Sequence, residues 1–286
     1  MLASLLQVFS TGLGLAGYYA LVAVGFALIF ATLRIFHVAH GTVFIIGGYV
    51  FFGLHRLLGV NIFVSAIAGV ACAGLAGLAI DKVVYAPVLR RGGGMFSVFI
   101  ASLGAALVVE AGFLAWTKGV VSVARTGMLD IFIIGDVAFR ALDFSIFALV
   151  AAAFGALYLW LYRTSSGLEV RGLTDNADLA AVVGVDVRRT RNSIFLVASL
   201  LAGLAGVLTA YDTGLVPSIG FKMLFIGVVA VILGGVRNIL LGTIIGATCL
   251  GLLTAFAGFF FPEWITFTIF LIMIVLIIFR PQGILG

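Results

Sequence analysis

Apolar residues run along this chain in long stretches that short polar gaps interrupt. A helix needs about 20 apolar residues to cross a hydrocarbon core about 30 Å thick. Most of the stretches are close to that length, and the two at 41–58 and 222–236 are short and rich in glycine. The pattern predicts an all-α integral membrane protein, a polytopic bundle of about 8–9 membrane segments, some short or discontinuous. The stretches are 4–33, 41–58, 62–80, 96–117, 143–162, 192–211, 222–236, 239–260 and 264–279.

The first stretch is too long for one helix perpendicular to the membrane. It predicts either one tilted helix or two short helices broken near Gly12, Gly14 and Gly17. The short runs 41–58 and 222–236 predict discontinuous helices or re-entrant segments, which transporters tolerate where they line a cavity. Because the spans consume almost all of the length, we expect a single transmembrane domain over residues 1–286 and no second soluble domain.

Composition excludes the soluble classes of protein. Of the 286 residues, 64% are hydrophobic and 9% are charged, whereas soluble domains are about 45–50% apolar and about 25% charged. A soluble globular enzyme, a nucleic-acid-binding domain and a disordered chain are therefore excluded. The basic residues behind the net charge of +5 lie in short gaps between apolar runs. That distribution is typical of topology signals and not of a phosphate-binding patch.

Lysine and arginine are concentrated in the gaps 81–95 and 163–191 and at the C-terminal end. The number of spans between these regions places all three on one side, which the positive-inside rule makes the cytoplasm. The gap at about 118–142, where acidic residues balance basic ones, then faces outward. The pattern leaves the side of the N-terminus open. The cytoplasmic basic residues are Lys82, Arg90, Arg91, Arg163, Arg171, Arg188, Arg189, Arg191 and Arg280.

Groups that could carry chemistry are sparse in the predicted spans. The spacing of His37 and His40 could place both on one helix face, but no Cys, Asp or Glu nearby in the sequence completes a metal shell. Glu110 is the one acid well inside a predicted span, so it marks either a packed polar contact or a pathway for solute or protons. None of the lysines follows a glycine, so the phosphate-binding motif Gly-Lys-Ser/Thr is missing from the sequence. ATP would therefore have to bind to a different chain.

The cytoplasmic gap 163–191 holds more than a connection between two spans needs. Thr174 or Asp175 is the predicted N-cap of a short helix, and the Ala/Leu/Val run that follows stops at Gly184, the predicted C′ residue. The residues leave two interpretations open. This segment is either a surface helix that docks on a cytosolic partner or a solvated loop with a helical turn.

The same segment resembles the coupling-loop motif of ABC-importer permeases of the branched-chain amino acid (LivH-type) family. That motif runs roughly Gly-x-x-x-Arg-Ala, then Asn, Ala and Ala, then Gly-Ile/Val and basic residues. Gly172 stands where the family usually has alanine, a mild departure. The resemblance implies that the matching residues form the ATPase-coupling site of the permease. They are Gly167, Arg171, Asn176, Ala177, Ala180, Gly184 and Val185.

Four other stretches carry the same resemblance: 19–25, 34–41, the pair 200–206 and 225–235, and 280–283. The second departs from the family pattern, because His37 stands where asparagine is common before Ala-His-Gly. Since this stretch opens a glycine-rich, predicted discontinuous segment, we expect the change to affect the solute path. The candidate residues of the translocation pathway are His37, His40, Gly41 and Glu110.

The resemblance also implies the rest of a transport system. Members of this family are multi-pass inner-membrane subunits of bacteria that pair with a second, related permease, two cytosolic ATPase subunits and a periplasmic solute-binding protein. This chain would form half of the pathway for branched-chain or hydrophobic amino acids, bind no cofactor or metal and catalyse nothing, with ATP and Mg²⁺ on the ATPases. Related members carry urea, short amides, or aromatic and other small carboxylates.

Two other functions are weighed beside the permease. A stand-alone ion-coupled secondary transporter predicts an essential Glu110 and uptake without any ATPase. An intramembrane enzyme built around His37 and His40 requires a metal or a nucleophile that the sequence does not supply.

Overall fold

The computed structural model describes residues 2–125, 131–134, 137–235 and 238–264, and separate positions between 267 and 285. Six helices of this described part are long and apolar enough to cross a membrane, and α10 (Ile219–Gly234) is a shorter apolar helix. The all-α polytopic membrane architecture is thereby confirmed. Only half of the positions of the predicted run 264–279 are described, and Arg280 lies outside the described residues.

The described elements follow one another closely along the chain. In order, they are α1 (Leu2–Leu33), α2 (His40–Phe52), a π-helical turn (Gly53–Leu57), α3 (Ile62–Ile80), a second π-helical turn (Asp81–Tyr85), α4 (Ala86–Arg90), α5 (Met95–Thr117), β1 (Ile131–Ile134), β2 (Val137–Arg140), α6 (Ala141–Arg163), α7 (Ser165–Asp175), α8 (Ala177–Val182), α9 (Val187–Asp212), α10 (Ile219–Gly234), α11 (Ile239–Phe260) and a 3₁₀ turn (Pro262–Trp264).

The contacts group the chain into two compact units. The first comprises Met1–Ala27, Thr126–Gly155 and Phe225–Gly286, and the second comprises Leu28–Arg125 and Ala156–Leu224. Helices α1, α6 and α10 each contribute residues to both units. The expectation of one transmembrane domain over 1–286 stays a prediction.

Close helix contacts in the first unit depend on small residues. A Cβ added at Gly251 of α11 would lie 2.6 Å from the carbonyl oxygen of Gly12 on α1. Gly234 and Gly242 bring the ends of α10 and α11 equally close. Lipid gives helices little hydrophobic reason to associate, so close backbone approach at such residues supplies the packing.

The second unit is organised around α2, α3 and α9. A Cβ added at Gly47 would lie 2.8 Å from the Cα of Gly203, and one added at Gly69 would lie 2.6 Å from the carbonyl oxygen of Gly47. Ser199 and Gly77 bring α9 and α3 together nearer the other end. The glycine-rich motif at 200–206 therefore forms the contact surface of α9 and buries the short helix α2.

Two predicted boundaries are corrected. The first apolar run is one continuous helix, α1, so the alternative of two helices broken at Gly12, Gly14 and Gly17 is wrong. The predicted gap 81–95 is helical as far as Arg90, because a π-helical turn, Asp81–Tyr85, continues α3 into α4. Helix geometry thus extends past the apolar run that membrane thickness alone predicts.

A two-stranded antiparallel hairpin lies within the predicted outward gap 118–142. Strands β1 and β2 pair with Ile131 opposite Arg140. The side chain of Gln7 donates a hydrogen bond to the carbonyl oxygen of Ala138 (3.0 Å) and accepts one from its amide (2.9 Å). The N-terminal end of α1 therefore lies beside this hairpin, so the predicted outward position of the gap 118–142 predicts an outward N-terminal end as well. Asp130 and Asp136 lie outside the described residues.

Candidate coupling and translocation sites

We call residues 165–186 the coupling segment. It begins where Thr164 caps α7 by accepting a hydrogen bond from the amide of Gly167 (3.1 Å). A Cβ at position 167 would lie 2.1 Å from the carbonyl oxygen of Trp160, so the chain requires glycine there to turn back on α6. Arg171 lies on α7 with its guanidinium carbon 5.0 Å from the ring centre of Tyr162.

The coupling segment holds two helices where the sequence predicts one. The predicted N-cap, Thr174 or Asp175, is wrong: both belong to the last turn of α7. Asn176 separates the helices with extended backbone (φ −157°, ψ 106°), and its side-chain oxygen accepts from the amide of Leu179 (2.9 Å). Thr174 does not cap α8 because it lies within the helical backbone of α7, where its hydroxyl donates to the carbonyl oxygen of Val170 (2.9 Å).

The predicted C′ residue is confirmed. Gly184 has a φ of +94°, which is strained for any residue with a Cβ. Its amide donates to the carbonyl oxygen of Ala181 (3.1 Å), and the amide of Val185 donates to that of Ala180 (3.0 Å). These two bonds form a Schellman motif, which satisfies the last carbonyls of α8. Asp186 then caps α9 by accepting from the amide of Arg189 (3.0 Å).

Helix α8 buries one side and exposes an apolar patch on the other. Ala180 is buried, whereas Ala177 is exposed and the large apolar side chains of Leu179, Val182 and Val183 are 60%, 83% and 72% exposed. We call these three residues the α8 patch. Apolar side chains clustered on a polar connecting segment are typical of a surface that a partner covers.

A buried ion pair lies next to the coupling segment. Nε of Arg191, in the second turn of α9, donates to Oδ1 of Asp81 at 2.9 Å, and Nη2 donates to the same oxygen at 2.5 Å. The Asp81 and Arg191 side chains are only 3% and 19% exposed. The neighbouring Thr190 hydroxyl donates to Glu169 of α7 (2.9 Å). One turn of α9 thus contacts both the π-helical turn and the coupling segment.

Residues 34–39 form the α1–α2 break, and His37 is fully buried there. Its Nδ1 and the Tyr85 hydroxyl share a hydrogen bond of 2.6 Å, and Tyr85 lies 2.6 Å from the Ser102 hydroxyl. Ser102 in turn accepts a hydrogen bond from the amide of Ala39 (2.9 Å). The Phe195 ring packs 5.5 Å from the His37 ring, centre to centre. We call His37, Tyr85, Ser102 and Phe195 the His37 cluster.

Of the four predicted pathway residues, the structure brings His37, His40 and Gly41 close together and places Glu110 apart from them. His40 is the first residue of α2 and is fully buried, with its ring 5.6 Å from that of His37. Gly41 contacts the N-terminal end of α10, where a Cβ would lie 2.2 Å from the carbonyl oxygen of Gly220. Glu110 is eight residues beyond Ser102 on α5, or about 12 Å along the helix axis. It makes no ion pair or hydrogen bond within the described part of the chain.

Sequence reasoning missed Asp81, Tyr85, Ser102 and Arg191. Asp81 was read only as part of a cytoplasmic gap, and Arg191 only as a topology signal. The available signal was that Asp81 directly follows an apolar run, where a carboxylate requires a partner. Nothing local in the sequence identifies that partner, because it lies 110 residues away.

Comparison with known proteins decides the family. The model of the family "Branched-chain amino acid transport system / permease component" matches residues 8–278. The chain belongs to this family. It is 25% identical to the high-affinity branched-chain amino acid transport system permease protein BraD of Pseudomonas aeruginosa, over 98% of this chain and 95% of BraD. It is 27% identical to the probable branched-chain amino acid transport permease protein LivH of Methanocaldococcus jannaschii, over 93% of this chain and 88% of the relative.

The fold also has a solved counterpart. A chain of PsaBC from Streptococcus pneumoniae, in complex with Fab, superimposes with a TM-score of 0.54 over 99% of this chain and 97% of that one. At 13% identity, this likeness shows the fold alone. The family match confirms the predicted family and makes this permease a component of a transport system. The apolar helices and the fold make it a multi-pass membrane protein.

Proposed function

We propose that this permease is the transmembrane subunit of an ATP-binding-cassette importer in a bacterial inner membrane. It forms half of a pathway for branched-chain or other hydrophobic amino acids. A second homologous permease subunit, two cytosolic ATPase subunits that hold ATP and Mg²⁺, and a periplasmic solute-binding protein complete the machine. Family membership supports the transport role.

The observation that carries the coupling role is the α8 patch. Leu179, Val182 and Val183 are exposed on a helix fixed at both ends, by the Asn176 cap and the Schellman turn at Gly184. A rigid helix that presents apolar side chains suits docking into a groove on a partner protein. We infer that the ATPase covers this patch and displaces the helix during its cycle, which biases a permease with two conformations.

Glu110 is proposed to face the pathway or the second permease subunit. It is half-buried on a helix whose described residues are mostly exposed, and Leu107 and Leu114, one turn away on the same face, are exposed. A carboxylate facing lipid is costly, so this surface requires water or a polar neighbour in the membrane. Replacing Glu110 with Gln separates two functions: an importer retains ATP-driven uptake, whereas a proton-coupled secondary transporter loses uptake and its pH dependence.

The solute class rests on the relatives, which are branched-chain amino acid permeases. Urea, short amides and small carboxylates are the alternatives within this proposal. His37 and His40 are fully buried, so neither touches a solute in this conformation. The binding protein is therefore the component in which solute selection is best measured.

The experiment is purification of the tagged chain from its native membrane in mild detergent, followed by mass spectrometry of its partners. Recovery of an ATPase, a second permease and a binding protein supports the importer, and the binding protein is then screened against amino acids, urea, amides and carboxylates. Recovery of this chain alone, with uptake that survives ATP depletion, would overturn the proposal in favour of the secondary transporter.

A further inference from the structure

Burying the Asp81–Arg191 pair costs free energy. Burial removes two charges from water, and replacing such a pair with apolar residues is often neutral or stabilising. Two nitrogens of Arg191 contact the carboxylate: Nε lies 2.9 Å and 3.1 Å from its two oxygens, and Nη2 lies 2.5 Å from Oδ1. Stability alone therefore gives a weak reason to retain the pair, and the elements that it connects suggest another role.

On one side, the pair is joined to the coupling segment. Only residues 183–186 separate α8 from α9, and Arg191 lies in the second turn of α9. The hydrogen bond from Thr190 to Glu169 ties the same turn to α7. A displacement of the α8 patch would therefore be passed through the short, hydrogen-bonded turn 183–186 to the first turns of α9, where Arg191 lies.

On the other side, the pair is joined to the His37 cluster by two routes. Asp81 and Tyr85 are the first and last residues of one π-helical turn, a local distortion that is frequent at functional sites. The guanidinium carbon of Arg191 lies 5.5 Å from the Phe195 ring centre. Tyr85 contacts His37 by its hydroxyl, and Phe195 contacts it by its ring.

The His37 cluster holds a segment that has little backbone bonding of its own. Arg34 has a φ of +56°, an uncommon conformation for a residue with a Cβ, and no side chain caps α2 at Ala39. The amide of Ala39 is instead satisfied by Ser102 of α5. Side chains from α5, α9 and the π-helical turn therefore fix the α1–α2 break, and a shift of those elements would move it.

We propose that Asp81 and Arg191 are positioning residues of the transport cycle, because they tie the coupling segment to the His37 cluster. When the ATPase moves α8, the pair carries that movement to the α1–α2 break and so changes the bundle around α2. This inference rests on the proposed importer function. Contiguous contacts alone do not demonstrate coupling, so the test must measure it.

The test uses the complete importer in proteoliposomes, with radiolabelled leucine and the purified binding protein as probe. The variants are Asp81→Asn, Arg191→Gln and the double variant, and the readout is leucine taken up per ATP hydrolysed. Each single variant leaves one buried charge unpaired, so reduced membrane abundance is expected. The double variant removes that unpaired charge and is expected to regain abundance and ATPase association, while uptake per ATP falls at least about tenfold.

Two controls keep the outcomes distinct. Neutralising another ion pair, Arg140 and Asp143, which is not joined to the coupling segment, should leave uptake per ATP unchanged. Arg191→Lys keeps the charge but loses the two-pronged contact, so it should accumulate normally with reduced coupling even if the double variant does not accumulate.

Uptake per ATP at the wild-type level in the double variant would overturn the positioning role and leave the pair structural. If the double variant does not accumulate, wild-type uptake per ATP in Arg191→Lys would overturn it instead. Failure of the wild-type chain to assemble with an ATPase, or to take up any solute that its binding protein retains, would instead overturn the proposed function.

Discussion

The coupling segment and the α1–α2 break are both short departures from the long helices, but they are fixed in opposite ways. The coupling segment caps itself with neighbouring residues such as Asn176 and Gly184 and leaves an apolar patch exposed. The α1–α2 break is buried and depends on distant side chains, Tyr85 and Ser102. The first arrangement suits contact with a partner protein, and the second ties the break to other helices of the same chain.

The largest effect is expected just after the break, where the start of α2 contacts α10. Gly41→Ala places a Cβ 2.2 Å from the carbonyl oxygen of Gly220, so the backbone must move. Overpacking of this kind costs about 1–3 kcal/mol, occasionally more. We expect a lower thermal midpoint for the purified protein and less protein in the membrane; a midpoint equal to that of the wild type would contradict this close packing.

A smaller loss is expected for Tyr85→Phe. It removes the hydroxyl shared by His37 and Ser102 and leaves the His37 nitrogen buried without that bond. The cost is about 1–3 kcal/mol, and since no backbone has to move it stays below that of Gly41→Ala. Thermal unfolding in detergent measures it, with Tyr158→Phe, an exposed position, as the matched control. Equal stability of the two variants would show that the hydroxyl does not hold the break.

Substitutions in the coupling segment should mainly weaken the binding of the ATPase subunit. Asn176→Ala removes the cap of α8, which costs about 1 kcal/mol, whereas Asn176→Asp keeps it. Titration with the ATPase subunit should show weaker association, by about fivefold, for the alanine variant alone. Identical affinities for the two variants would show that the helix start does not matter to docking.

The smallest effect, of opposite sign, is expected at Gly172. This residue lies within α7 with open space beside it, so the alanine usual in the family fits. Gly172→Ala should stabilise the chain by up to about 1 kcal/mol, since glycine inside a helix is unfavourable. A thermal midpoint that rises for Gly172→Ala and falls for Gly41→Ala would show that the coupling segment accepts one added methyl group and the start of α2 does not.

The sequence predicts those features whose causes are local. Apolar run length predicts the bounds of α3, α5, α6, α10 and α11 to within about three residues, because membrane thickness fixes helix length. It does not predict that helical structure continues beyond α3 to Arg90. Gly184 is predictable because few residues other than glycine favour its left-handed backbone. The N-cap was misplaced because Thr174, Asp175 and Asn176 are all good capping residues, and only tertiary contacts decide among them.

The His37 cluster and the Asp81–Arg191 pair were not predictable in the same way. Ser102 and Arg191 are distant in sequence from the residues they bond, and a single sequence does not reveal such pairs. The π-helical turn at Asp81–Tyr85 also has no local signal, since its composition is ordinary for a helix end.

If the α8 patch docks on an ATPase, a charged side chain placed in the patch should prevent the ATPase from binding. Tagged Val182→Asp and Val183→Asp variants are purified beside Val120→Asp, a control with an equally exposed valine on the predicted outward side. All three should reach wild-type abundance in the membrane. We expect the ATPase to be lost from the two α8 variants and retained by the control; an ATPase retained at wild-type level by both α8 variants would contradict docking on this patch.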